Sequence, residues 1–268
     1  MLLTVRQLAS VRTGLANPDD VVGCSVVEIT QSKISFEERL NSVFDPRLGA
    51  STYGEKCGTC QSGMHECPGH FGHVHLTKPF YQPFFLKRVY DLVRKSCWNC
   101  HKPHYGNSVC PHCEDRQGKW SRDGLFKDTF SHRVRRQKIV LTVDDVHAVL
   151  QHHDRLNKPE QPSCWMLNTV LPVGPPSMRP SILNKGLWSH NSLTHTYCSV
   201  VKENHVLRSF LQQSQPPHIV QQQWRRTQDT IYKLYDVKAS ANDKQYVEGI
   251  RQRIDGKQGR FRKNLLGE

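Results

Sequence analysis

The spacing of the cysteines constrains this chain more than any other feature. Cys57, Cys60, Cys67 and His70 fall within fourteen residues in CGTCQSGMHECPGH, and Cys97, Cys100, Cys110 and Cys113 follow in CWNC and CPHC. A Cys-x-x-Cys turn offers two thiolates to one ion without strain, and zinc takes four soft or borderline donors at the corners of a tetrahedron. Each cluster supplies four donors, so the pattern predicts two structural zinc ions. Four protein ligands leave no position for water or substrate, so such a metal contributes folding energy rather than Lewis acidity.

Paired cysteines have two other common uses. A disulfide framework belongs to secreted chains, but the stretch after Met1 is short in apolar residues and interrupted by Arg6 and Arg12, which is not a signal peptide. A reducing cytosol or nucleus is therefore expected. A thioredoxin-like redox site would place one pair in a βαβ unit, whereas here the pairs come doubled without that pattern. Cys24, Cys164 and Cys198 stand apart and read as small buried hydrophobes.

Lys and Arg number 37 against 24 Asp and Glu, a formal charge of +13, which favours a polyanionic partner, nucleic acid first. A membrane surface is the rival, but no run approaches the roughly 20 apolar residues of a spanning helix, and no lipidation signal is present. At 268 residues, 37% hydrophobic content is low for a compact enzyme, so the fold must lean on metal or partners.

Along the chain, VVGCSVVEIT (21–30) is β-branched and reads as a strand, and 31–44 as helix or loop. FDPRLGASTYGEK is turn-rich and leads into the first cluster. Phe85, Val89, Leu92 and Val93 lie at helical spacing within 81–96, predicting an amphipathic helix between the clusters. Residues 114–138 are basic and predict a solvated loop or ribbon. IVLTVDDVHAVLQHH predicts a strand running into a helix, with Thr142 and Asp145 spaced as a capping pair and Val146, Val149 and Leu150 on one face. Six prolines between Pro159 and Pro180 exclude a continuous helix or central strand and predict a stiff, extended spacer. Residues 191–213 and 217–237 predict an antiparallel helix pair joined near Pro216 and Pro217, with Val220, Trp224, Thr227, Ile231 and Leu234 recurring on the second. The end of the chain gathers Arg251, Arg253, Lys257, Arg260, Arg262 and Lys263 around Gly256 and Gly259, where glycine lets backbone N–H groups approach phosphates. A disordered basic tail is the plain alternative.

In order along the chain, these segments resemble the N-terminal part of the largest subunit of multi-subunit DNA-directed RNA polymerase of the eukaryotic, archaeal and large-DNA-virus type. The resemblance is carried by FDPRLGASTYGEKCGTCQSGMHECPGHFGHVHLTKPFY, by CWNC with CPHC, by WMLNTVLPVGPPSMRPSI, by NSLTH and by GKQGRFRKNLLG. It implies an irregular α+β fold: a zinc-stabilised clamp with a helical hairpin and an extended proline-rich connector. It implies two structural Zn2+ ions, one on Cys57, Cys60, Cys67 and His70 and one on Cys97, Cys100, Cys110 and Cys113. Lys257, Arg260, Arg262 and Asn264 would lie near template-strand phosphates, and Ser181 to His190 would form the lid that helps part RNA from DNA.

The implied segments are 1–50, N-terminal strand and loops; 51–115, two zinc clusters joined by a helix; 116–160, basic segment and strand–helix; 161–194, connector and lid-like loop; 195–237, helical hairpin; and 238–268, rudder- or switch-like basic tail. The implied partners are the DNA template and DNA–RNA hybrid, the second-largest and smaller polymerase subunits and the remainder of the largest subunit, in a nucleus or, for a viral chain, in cytoplasm or virion. The family's magnesium loop, Asn-Ala-Asp-Phe-Asp-Gly-Asp, does not occur in this sequence. The chain is therefore expected to carry no catalytic residue, to need the rest of the enzyme for RNA synthesis, and to be a fragment, a truncated product or one piece of a split subunit. Residues 238–249 and the loop between the second cluster's Cys pairs are shorter than the family pattern. The competing reading is a stand-alone zinc-dependent nucleic-acid-binding or regulatory protein resembling the clamp; an oxidoreductase is the weakest.

Overall fold

Two strands and two long helices build the centre of the molecule. The computed structural model describes residues 14–33, 38–103, 109–123, 129–134, 137–235, 249–255, 259 and 262–263. Strand β1 (Gly72–Tyr81) pairs antiparallel with β5 (Leu167–Val173), from Gly72 opposite Val173 to His75 opposite Val170, and again from Phe80 opposite Asn168. Between His75 and Phe80 the register shifts. Pro79, with no N–H to donate, lies in this interval.

The backbone groups freed by that shift are satisfied from the helices. In α4 (Ser192–Gln212) the buried Asn204 accepts from the Thr77 N–H at 2.9 Å and donates to the His75 carbonyl at 2.9 Å. In α5 (Pro217–Tyr235) Gln228 clasps both backbone groups of Tyr81, accepting at 2.8 Å and donating at 2.9 Å, and Trp224 Nε1 donates to the Pro79 carbonyl at 3.1 Å. Phe80 stacks on Trp224 with ring planes 7° apart. Buried amides thus fix the helix pair on the strand while apolar burial supplies the driving force.

The antiparallel helix pair matches the expectation from 191–237 as far as Tyr235, with Trp224, Thr227, Ile231 and Leu234 buried. Helix α2 (Leu86–Arg94) buries Leu86, Val89 and Val93 on one face, and Phe85 falls just before it. Helix α3 (Val143–Asn157) begins with the expected capping box: the Asp145 N–H donates to Thr142 Oγ1 at 3.2 Å, and the Thr142 N–H donates to the Asp145 carboxylate at 2.8 Å. It buries Val143, Val146, Val149 and Leu150, and these side chains join one core cluster with Ile29, Phe44, Leu48, Val74, Leu171 and Leu207. The basic stretch is a ribbon of three antiparallel strands, β2 (Lys119–Asp123), β3 (Thr129–Val134) and β4 (Gln137–Val140).

Three expectations need correction. Residues 21–30 are not a strand: α1 (Pro18–Gly23) occupies the first part, because Asn17 Oδ1 accepts from the Asp19 N–H at 3.1 Å, Pro18 opens the helix and Asp19 and Asp20 lie in its first turn. Only Glu28 makes an isolated parallel bridge, to His73. The proline-rich stretch is not a spacer, since it contains β5, whose Leu167, Leu171 and Val173 are buried. A sheet of only two strands has no interior strand, so Pro172 is accommodated opposite His73. Cys24 is exposed and Cys164 half-buried, and of the three isolated cysteines only Cys198 is buried.

Ser181 to His190 contains a short hairpin, β6 (Ile182–Asn184) and β7 (Leu187–Ser189), turning through Lys185 and Gly186, both at positive φ. Helix α6 (Ile250–Ile254) follows near the end of the chain.

Candidate metal centres and the basic tail

The turn-rich segment before Cys57 is ordered by one buried carboxylate. Asp45 accepts from the backbone N–H of Asn41 at 2.6 Å and of Arg47 at 3.0 Å, and from the Arg47 guanidinium at 2.8 and 2.7 Å. Burial alone would raise the Asp45 carboxyl, but its bonds to Arg47 and Asn41 outweigh that and hold it below its ordinary value. The Pro46 and Arg47 carbonyls then accept from the Gly58 N–H at 2.9 Å and Thr59 Oγ1 at 2.7 Å, which seats the first cysteine turn.

Three cysteine turns share one backbone design. The Cys57 N–H donates to the Ser62 carbonyl at 3.0 Å, and the Gln61 N–H, with φ at 60°, returns to the Cys57 carbonyl at 2.9 Å. Cys97 repeats this with Lys102 and His101, and Cys110 with Asp115 and Glu114, at positive φ again on His101 and Glu114. Each turn thereby aims two thiols the same way, and N–H groups of Thr59 and Asn99 donate to the first sulfurs at 3.3 and 3.4 Å. The fourth corner differs. Cys67-Pro-Gly-His70 needs Gly69, whose φ is 83° and where a Cβ would lie 2.7 Å from Pro175.

All eight expected residues come together in two groups of four. Cys57, Cys60, Cys67 and His70 bring their donor atoms within 4.8 Å of one another, as do Cys97, Cys100, Cys110 and Cys113. In the second group the Cys97 and Cys113 sulfurs lie 3.6 Å apart and those of Cys100 and Cys110 3.7 Å apart. A tetrahedron with metal–sulfur bonds of about 2.3 Å has edges of roughly 3.8 Å. The donors therefore fit a metal ion, and three further features agree. His70 Nε2 is buried without a hydrogen-bond partner. A bond to His70, with help from Ser62, pulls the Cys60 thiol down to about 6. Burial, and then crowding by the other thiols of its own quartet, pushes Cys67 up, and Cys100 likewise in the second quartet, a penalty that a cation bound within each quartet would relieve.

The second centre is locked to the basic ribbon. Trp98, inside CWNC, stacks at 6.0 Å on the buried His132 of β3, and His132 Nε2 accepts from the Gly118 N–H at 2.7 Å. Burial holds His132 below its ordinary value, hence neutral. Gln117 Nε2 donates to the Cys97 sulfur at 3.1 Å. Sequence reasoning missed His132 and Gln117, because nothing local distinguishes them from solvated polar residues.

The expected nucleic-acid residues fare differently. Lys257, Arg260 and Asn264 lie outside the described residues, and Arg262 is exposed. Arg253, grouped in the sequence with the phosphate-facing cations of the tail, donates to the Met178 carbonyl at 2.8 Å and to Asn191 Oδ1 at 2.9 Å, tying α6 to the base of the β6–β7 hairpin. Among the described residues no helix is long and apolar enough to cross a membrane.

This is the architecture of a mixed α+β chain with two clusters of four donors, each of which could hold a metal ion. A family model described as RNA polymerase Rpb1, domain 1, matches residues 5–104 and 102–265, and the chain belongs to that family. It is 27% identical over 316 residues to DNA-directed RNA polymerase subunit Rpo1N of Sulfolobus acidocaldarius, covering 97% of this chain and 35% of the relative. To the Rpo1N subunit of Methanothermobacter thermautotrophicus strain Delta H it is 28% identical over 314 residues, covering 98% and 35%, and to that of Methanocaldococcus jannaschii 27% over 320 residues, covering 98% and 23%. The chain thus spans about a third or less of these relatives. An alignment of 316 positions exceeds the 268 residues of the chain, so the relative carries residues absent here. The two family-matched stretches meet at residues 102–104, inside the short loop between the second centre's cysteine pairs.

Proposed function

We propose that this chain forms the zinc-braced clamp at the N-terminal part of an RNA polymerase largest subunit, closing over template DNA and the DNA–RNA hybrid. The observation that carries the reading is the pair of four-donor centres set within a chain of the Rpb1 domain 1 family. Thiolate-rich tetrahedral sets of this size suit Zn2+, which has no redox chemistry and no geometric preference to frustrate. Each zinc ion would hold loops that the modest apolar content leaves without a core to rest on.

In this reading Lys257, Arg260, Arg262 and Asn264 lie near template-strand phosphates, contacts that position a duplex without reading its sequence. Ser181 to His190 acts as a lid. Its hairpin exposes Ile182, Leu183, Leu187 and Trp188 by 67, 56, 76 and 40%, apolar surface that makes sense against bases or another subunit. The partners are the second-largest and smaller subunits and the rest of the largest subunit, nuclear in a eukaryote and cytoplasmic or virion-borne for a virus. The six segments of the sequence analysis belong to the same proposal. RNA synthesis, a nucleotidyl transfer with Mg2+, belongs to the assembled polymerase and to no residue of this chain.

The test combines metal content with assembly. Elemental analysis should give two zinc ions per chain, chelation should unfold it, and the chain should co-purify with a second large polymerase subunit. An independent monomeric binder that retains zinc would favour the stand-alone reading instead, and zinc-free folded protein would overturn both.

A further inference from the structure

A third group of donors lies outside both cysteine quartets. Glu28, His73 and His75 bring one ligand atom each to within 4.8 Å of one another. Alternation along a strand sends His73 and His75 of β1 to the same face. Their rings meet edge to face at 4.7 Å between centroids. Glu28 is fixed alongside by the parallel bridge: the His73 N–H donates to the Val27 carbonyl at 3.0 Å, and the Ile29 N–H donates to the His73 carbonyl at 2.8 Å.

The 2.7 Å contact between His73 Nδ1 and Ser25 Oγ holds the ring in place; where Ser25 Oγ gives its proton to the Val27 carbonyl at 3.0 Å, the ring Nδ1–H is the donor. Nε2 is then the nitrogen with a free lone pair. A metal-binding imidazole is ordinarily prepared in this way, its other nitrogen held by an oxygen acceptor. His73 is buried at 7% exposure whereas Glu28 and His75 are exposed, so the group has one fixed wall and one side open to solvent.

We propose that Glu28, His73 and His75 form a third metal site, an open and exchangeable one for a divalent transition-metal ion. Three protein donors leave at least one coordination position for water or an outside ligand, unlike the two closed quartets. Two imidazoles and a carboxylate without thiolate favour Zn2+, Co2+, Ni2+ or Cu2+ over Mg2+ or Ca2+. The site is independent of the clamp reading, because it depends on none of the eight quartet ligands.

The experiment titrates zinc alone into the untagged full chain whose two quartets are already loaded, followed by calorimetry. A third equivalent should bind, disappear in His75→Ala and in Glu28→Gln, and weaken about tenfold in Ser25→Ala. All three variants should keep the two tightly held ions, since the altered side chains are not quartet ligands. Cobalt placed in the third site should lack the thiolate charge-transfer absorption of the quartets. Absence of a third equivalent, or one indifferent to both His75→Ala and Glu28→Gln, overturns the site; loss of the two quartet ions would count against the clamp reading alone.

Discussion

At the scale of single residues, buried charge carries the architecture around the first centre. Arg179 is 1% exposed and donates to the Gly174 carbonyl at 3.0 Å, to Thr194 Oγ1 at 3.3 Å and to the Val43 carbonyl. Its guanidinium also faces the rings of Phe44 and Tyr197 at 5.7 and 5.9 Å. Burial draws it down to about 10, which still leaves it charged at neutral pH. One side chain thus joins the segment before the first quartet, the end of β5 and the start of α4. Arg179→Ala orphans three acceptors, and each unsatisfied buried group costs about 1–3 kcal/mol, so a loss of roughly 3 kcal/mol or more is expected. Arg179→Lys should rescue little, because one ammonium cannot reproduce a planar fork. Urea unfolding of the zinc-loaded protein measures both; a loss below about 1 kcal/mol for the alanine variant would contradict the role. The sequence showed an Arg-Pro pair here but not its burial, which depends on partners distant in the chain.

At the scale of elements, legibility followed the range of the determining interactions. Helix α3 was legible to its cap because Thr142, Asp145 and the apolar face are all local, and the quartets were legible because Cys-x-x-Cys encodes its own turn. Strand β1 was not anticipated: His73, Lys78 and Pro79 dilute its pattern, and its ladder is completed by β5 and by helix side chains. Residues 21–30 misled because β-branched composition argued for a strand while Asn17 and Pro18, just upstream, set a helix. The exposure of Cys24 follows from that helix, which it terminates. Asn204 tests the claim that amides dock the helix pair on β1. Asn204→Ala leaves the Thr77 N–H and the His75 carbonyl without partners and should cost about 2–4 kcal/mol. Asn204→Asp keeps the acceptor and loses the donor, so it should not restore wild-type stability. Hydrogen exchange at the Thr77 amide should accelerate in the alanine variant, and unchanged protection would place the docking elsewhere.

At the scale of the whole molecule, the excess of thirteen positive charges is not spread evenly over function. Several cations are already engaged: Arg47 with Asp45, Arg39 with Glu55, Lys138 with Asp123 and Lys78 with Asp144. Arg253 is engaged as well, by the Met178 carbonyl and Asn191. Two arginines of the same basic tail, Arg253 half-buried and Arg262 exposed, are expected to behave differently. Arg253→Ala should loosen α6 from the hairpin base and lower stability while changing the salt dependence of DNA binding little. Arg262 is exposed, and in the clamp reading it meets phosphate. Each phosphate neutralised releases counterions and contributes about −0.9 to the slope of log affinity against log salt. Arg262→Ala should flatten that slope by about one, weaken binding equally across DNA sequences, and leave zinc content unchanged. Binding measured between low and moderate salt on an arbitrary duplex reads the slope directly. If Arg262→Ala alters stability and not slope, the tail is part of the scaffold, and the phosphate contacts must be sought on another face of the chain.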